Sequence, residues 1–142
     1  MNRPAIVIVT FKRQELLSQL LDSIEKSSVA PWRVVVVDNE NSAATGDIVR
    51  SFESRANAQW GTTYDDPDAE GGTSRAVYMP MEENTGGAGG FSAGVRRAYE
   101  LGAEWFWVMD DDVAIEPDGL AVLARWSEES DAIMGTRRDF DG

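Results

Sequence analysis

Two unbroken apolar stretches limit the fold more than anything else in the sequence. Ala5-Ile6-Val7-Ile8-Val9-Thr10 and Arg33-Val34-Val35-Val36-Val37 are dominated by β-branched residues and show no polar–apolar alternation. A strand with one face in water alternates, whereas a strand apolar on both faces must be covered on both. Between the two runs, Leu16, Leu17, Leu20, Leu21 and Ile24 recur at helical spacing and predict an amphipathic helix from Gln14 to Lys26. After the second run, Ile48, Val49 and Phe52 predict another helix, Thr45 to Ala56. Strand–helix–strand–helix with doubly buried strands is the pattern of a parallel sheet with right-handed crossovers. The expected fold class is α/β, a three-layer α/β/α arrangement around a mostly parallel sheet. At 142 residues the chain is long enough for a single domain with its own core.

The second half repeats the rhythm after an interruption. Asn57 to Arg75 reads as a long polar loop, held down by Trp60 and Tyr64, with an acidic cluster Asp65-Asp66-Pro67-Asp68. Ala76 to Pro80 is a third strand. A helix then starts inside the glycine-rich segment Gly86 to Gly94 and runs to Leu101, with Val95, Ala98 and Leu101 inward and Gly102 as its stop. A further buried strand begins at Trp105. Pro117 is expected to open a fourth helix, with Leu120, Leu123 and Trp126 on its buried face. Ala132 to Thr136 is expected to be a last strand.

Composition narrows the function. The net charge of −12 argues against binding nucleic acid or an anionic membrane surface. No stretch of about 18 apolar residues is present, so no transmembrane segment is expected. Met1 to Pro4 lead straight into the first strand without a cleavable leader pattern, and there is no Cys. The expected location is cytoplasmic, with the full-length protein peripheral to the inner face of the membrane. An acidic chain that takes a phosphorylated ligand needs a positive partner for it. With neither His nor Cys available, the ligands of a divalent ion must be oxygens, which favours Mn²⁺ or Mg²⁺ over Zn²⁺.

Four constellations fall at the ends of these strands. Asp110-Asp111-Asp112 follows the dry strand; residues i and i+2 of an extended segment share a face, so Asp110 and Asp112 could serve one ion. A solvated acidic loop or first helical turn is an equal reading of the triplet alone. Gly86 to Gly94 suits either close approach of a ligand to the backbone or tight helix–sheet packing. It is not a dinucleotide fingerprint, because the G-x-G-x-x-G frame from Gly87 reaches Ser92. It is not a phosphate-binding P-loop either, since Val95 stands where Lys is required. Asp38 either accepts from a ribose or base, or forms a turn with Asn39. Thr10 to Arg13 end the first strand. Polar and glycine residues at four successive strand ends describe a ligand crevice.

Ile8-Val9-Thr10-Phe11-Lys12-Arg13, Val36-Val37-Asp38-Asn39, Glu83 through Phe91 and Met109-Asp110-Asp111-Asp112 with Pro117 stand in an order and spacing that resemble the N-terminal half of family 2 glycosyltransferases. That family has the Rossmann-like GT-A fold. The Gly-Gly-Ala-Gly-Gly-Phe segment is similar to members that transfer galactofuranose or rhamnose in bacterial cell-envelope polysaccharides. The resemblance implies a nucleotide-sugar donor, a UDP- or dTDP-sugar, and a glycan or lipid-linked acceptor. It puts Thr10, Phe11 and Arg13 at the nucleotide pocket, Asp38 on the ring N–H of the base, and Asn84, Gly86, Gly87 and Gly90 near the donor. Asp110 and Asp112 would hold the ion on the diphosphate, with Asp111 near the ribose or sugar. The general base of inverting members matches no residue of this chain and is expected downstream of it, so no catalytic residue is assigned. The competing reading is a noncatalytic nucleotide-binding α/β module.

Overall fold

The computed structural model describes residues 1–63 and 74–139. In chain order the elements are β1 (Pro4–Thr10), α1 (Gln14–Glu25), β2 (Arg33–Asp38), α2 (Ala43–Trp60), β3 (Ala76–Pro80), α3 (Gly86–Leu101), β4 (Trp105–Asp110) and α4 (Gly119–Trp126). The strands form one parallel sheet in the order β3-β2-β1-β4.

The two faces of β1 and β2 divide the core. Ile6, Ile8, Val34 and Val36 pack with Leu17, Leu20, Leu21 and Ile24 of α1 and with Val49, Phe52 and Ala56 of α2. Ala5, Val7, Val9, Val35 and Val37 face the other way, onto Ala98 and Leu101 of α3. This is why neither apolar run alternates: every side chain from Ala5 to Thr10 and from Arg33 to Asp38 is buried. The three-layer α/β/α expectation is therefore met, as is the parallel sheet.

Three elements differ from the sequence reading. First, α2 runs from Ala43 to Trp60, so the first residues expected in the polar loop are helical, and Trp60 packs on the α1–α2 core. Tyr64 and the Asp65–Asp68 cluster lie outside the described residues. Second, Pro117 precedes α4 instead of starting it. Its carbonyl accepts the Ser28 backbone N–H at 2.7 Å, and the helix begins at Gly119. On α4, Leu120 is buried as expected and Leu123 half-buried, but Trp126 is 56% exposed. Third, Ala132 to Thr136 form no strand, and Met134 is 95% exposed. A strand exists through its ladder, and among the described residues this short segment pairs with no neighbour and β4 is bonded to β1 alone.

Candidate functional site

The carboxyl ends of the strands come out flush. Thr10 is paired with Asp38, Asp38 with Pro80, and Val9 with Asp110. The order of strand addition reverses at β1: β2 and β3 are laid down on one side of it and β4 on the other. Open α/β sheets hold ligands outside the strand ends at such a reversal. Here the two strands at that point deliver Thr10 and the aspartate triplet.

The triplet does not behave as three equivalent carboxylates. At the end of β4 Val108 and Asp110 are exposed and Met109 is buried, and in the turn that follows Asp111 is buried and Asp112 exposed. Asp111 is only 4% exposed, and burying it is tolerable because donors meet it. Thr10 Oγ1 donates to its Oδ2 at 2.8 Å, and Arg13 Nη1 stands 3.4 Å from its Oδ1. The same Arg13 nitrogen lies 3.6 Å from Asp112 Oδ2. Arg13 sits just before α1, its carbonyl accepting the Leu17 N–H, and its side chain is half-exposed. Phe11 is exposed beside it, with the Lys12 ammonium over its ring at 5.2 Å. Beyond the triplet the chain is pinned to α1: Ser23 Oγ accepts the Ile115 N–H at 3.0 Å.

Asp38 lies at the same sheet edge but is fully buried. Its Oδ1 accepts the Glu40 N–H, and its Oδ2 accepts the Ser42 N–H and the Tyr78 hydroxyl, at 3.0, 2.9 and 2.6 Å. Asp38 therefore builds the turn after β2. Tyr78 was not singled out from the sequence. Burial, then the hydrogen bond to Asp38 and that carboxylate's charge, push its ionisation far above the usual tyrosine range. Gly46 makes room for its ring, since a Cβ there would lie 3.3 Å from Cε2.

Asn39 is the other residue the sequence did not reveal as part of the site. Only 4% exposed, it donates from Nδ2 to the Gly86 carbonyl at 3.1 Å. Its Oδ1 accepts from the Thr85 hydroxyl at 3.2 Å and the Thr85 N–H at 3.4 Å. It thus fixes the start of α3 to the end of β2. Gly86 adopts φ +72°, in the left-handed region, and its N–H is accepted by Asn84 Oδ1 at 2.9 Å. Gly86 and Gly87 are exposed, with open space where a side chain would be. The N-cap residue Thr85 makes no side-chain cap of its own, so Asn84 meets the first N–H of the helix in its place. Gly90 instead faces the sheet: a Cβ would come within 2.7 Å of Val9 Cγ1 and 3.2 Å of Asn39 Nδ2. The glycine-rich segment packs on the sheet at Gly90 and leaves open space at Gly86 and Gly87.

The donor set suits a hard divalent ion that arrives with its ligand. Among the described residues, no three His, Cys, Asp or Glu side chains gather into a metal cluster. Asp111 is turned away, which leaves the exposed Asp110 and Asp112. Mg²⁺ and similar ions are commonly held by one or two carboxylates, with phosphate oxygens and water completing the shell. Two outward carboxylates at the sheet's reversal point fit that requirement. Among the described residues, no helix is long and apolar enough to cross a membrane.

Comparison with known proteins matches residues 5–142 to the model of Glycosyl transferase family 2. The chain is 33% identical over 106 residues to galactofuranosyltransferase GlfT1 of Mycolicibacterium smegmatis (strain ATCC 700084 / mc(2)155), covering 75% of this chain and 28% of that protein. It is 32% identical over 107 residues to GlfT1 of Mycobacterium tuberculosis (strain ATCC 25618 / H37Rv), with 75% and 29% covered. The chain therefore spans under a third of the length of these relatives. Among solved structures, S. aureus TarS 1-349 in complex with UDP aligns with a TM-score of 0.67 at 20% identity, over 89% of this chain and 32% of that one. The mannosyltransferase PcManGT from Pyrobaculum calidifontis, in complex with GDP-Man and Mn2+, aligns with a TM-score of 0.65 at 21% identity, over 87% and 32%. At such identities the structural likeness speaks for the fold.

Proposed function

The chain belongs to glycosyl transferase family 2, and from that premise we propose that it is the donor-binding part of a metal-dependent sugar transferase. The donor in this reading is a UDP- or dTDP-sugar. The acceptor is a glycan or lipid-linked glycan of the cell envelope, and transfer is inverting. Galactofuranose is the favoured sugar, because the GlfT1 relatives carry that activity in their names. The observation that carries the proposal is the sorting of the triplet: one carboxylate is buried on Thr10, and two are exposed at the sheet's reversal point.

In this reading Asp110 and Asp112 hold Mn²⁺ or Mg²⁺. Such an ion, when bound, offsets the charge that develops on the leaving diphosphate. The chain's own groups bind and orient. Thr10 and Arg13 flank the nucleotide, with Phe11 exposed next to them, and Asp111 fixes the wall on the ribose side. The exposed backbone at Gly86 and Gly87 lets the diphosphate approach the start of α3, where N–H groups and the helix dipole favour an anion. Asn39 holds that turn in place, and Asn84 shapes it. Asp38 supports the base pocket from beneath, and with three of its roughly four acceptor sites used it keeps one for the ring N–H of the base. No residue is given the role of general base.

Calorimetric titration with UDP, dTDP and NAD, each with and without Mn²⁺, tests the reading. The expected result is UDP or dTDP binding that requires the ion and is abolished by Asp112→Ala. Binding that ignores the ion, or a preference for NAD, would support the noncatalytic nucleotide-binding module instead.

A further inference from the structure

Arg13 holds a position that two cations cannot share. Its Nη1 is divided between Asp111 Oδ1 at 3.4 Å and Asp112 Oδ2 at 3.6 Å. Neither contact approaches the roughly 2.7–2.9 Å of a strong charge-assisted bond. The Arg13 side chain is 53% exposed and that of Asp112 52%, so their pairing is made in water and is weak. Asp111 differs: it is buried and already held by Thr10 at 2.8 Å. The guanidinium thus has one partner that stays and one that can leave.

The leaving partner, Asp112, is also a proposed ligand of the divalent ion, and an ion on that oxygen would repel the guanidinium. We propose that Arg13 is an exchangeable counter-cation. Without donor it neutralises Asp112. When the ion and diphosphate arrive it gives up Asp112, keeps Asp111, and turns to the diphosphate oxygens. The charges give the order of events: the triplet with Arg13 is short by two positive charges, the ion supplies two, and the diphosphate, negative in its turn, then attracts the released arginine. The inference rests on the donor-site reading above but goes beyond it, because it makes Arg13 a competitor of the ion as well as a partner of the nucleotide.

Those two roles have opposite signs. In Arg13→Gln, Mn²⁺ alone should bind roughly fivefold more tightly, the size set by a unit-charge contact near 3.6 Å in water. UDP in saturating Mn²⁺ should bind roughly tenfold more weakly through loss of a charged hydrogen-bond donor. Arg13→Lys keeps the charge and should leave Mn²⁺ affinity near wild type. Free Mn²⁺ is read by electron paramagnetic resonance, nucleotide by calorimetry, and folding by circular dichroism. Unchanged or weaker Mn²⁺ binding in Arg13→Gln overturns the exchange. If Asp112→Ala leaves ion and UDP binding intact, the donor-site reading fails instead. Should Arg13→Gln not fold, Mg²⁺ titration of the wild-type chain decides: the Arg13 Nε–H resonance must shift as the ion binds, and a resonance that stays in place at saturation refutes the proposal.

Discussion

Replacing Thr10 with Val tests how the triplet is sorted. Val keeps the shape of Thr and removes the hydroxyl, so the packing of β1 changes little. What disappears is the 2.8 Å donation to Asp111, a carboxylate only 4% exposed. The remaining donor, Arg13, is at 3.4 Å and half in water. A hydrogen bond to a charged group contributes about 1.5–3 kcal/mol, and stranding the buried acceptor puts Thr10→Val near the middle of that range, about 2 kcal/mol. For a domain of this size that is a fall in Tm of about 5–8 °C. Urea unfolding should give the same loss from the midpoint with an unchanged slope. The control is Asp111→Val together with Thr10→Val. Removing both partners leaves no orphaned group, so the double variant should lose at least about 1 kcal/mol less than the sum of the singles. A Thr10→Val loss below about 0.5 kcal/mol, or strict additivity, would mean that Asp111 is not held by Thr10. The division of the triplet into one buried and two outward carboxylates would then have no cause.

Other expectations are narrower. Gly94→Ala would set a Cβ 2.6 Å from Val7 Cγ1 and 2.8 Å from Val37 Cγ2, so it should destabilise by about 1–3 kcal/mol in thermal or urea unfolding. Gly87→Ala, with open space around it, should be neutral or stabilising by up to about 1 kcal/mol while weakening nucleotide binding. Tyr78→Phe removes the donation to Asp38 and should cost about 1–2 kcal/mol. Because folding raises the Tyr78 ionisation, its contribution is present below about pH 10, where unfolded tyrosine is still protonated, and is lost as pH rises further. The wild type should therefore lose stability above that pH more steeply than Tyr78→Phe, measured by urea unfolding across pH 8–11.

The sheet was legible because its signal is local. A run such as Val34 to Val37 can be satisfied only between two layers, and that requirement needs no knowledge of the partner. The exposure of Asp110 and Asp112 follows the i, i+2 spacing of the triplet, although Asp111 and Asp112 stand in the turn after β4. The site's internal fastenings were not legible. Asp111 is held by a hydroxyl 101 positions away, and Asn39 by Thr85 and Gly86, 46 and 47 positions away. Nothing near Asn39 in sequence distinguishes a residue that pins a helix from one that ends a strand. The only hint was its place beside Asp38 at the close of a buried run. The glycines were ambiguous in kind: one residue type serves a left-handed turn at Gly86 and a packing contact at Gly90, and sequence offers no way to tell them apart. Trp126 and the segment from Ala132 to Thr136 misled because short apolar strings carry no mark of what covers them.

The bond between Thr10 and Asp111 also marks the phase of β4. Trp105 to Val108 is apolar on both faces, and among the described residues the strand is paired on one side only, with β1. Those residues would tolerate sliding by one position almost as well as not sliding. Sliding would carry Asp110 or Asp112 into the buried place and turn Asp111 outward. In the observed register, with Val9 beside Asp110, the hydroxyl at the end of β1 meets Asp111, and a slide would bring a different aspartate to it. Deleting one residue between Trp105 and Val108 while the Pro4–Trp105 pairing holds would therefore keep every letter of the aspartate motif and still dismantle the arrangement. A family signature read as a string would score such a chain as intact, although its paired outward carboxylates had become a single one.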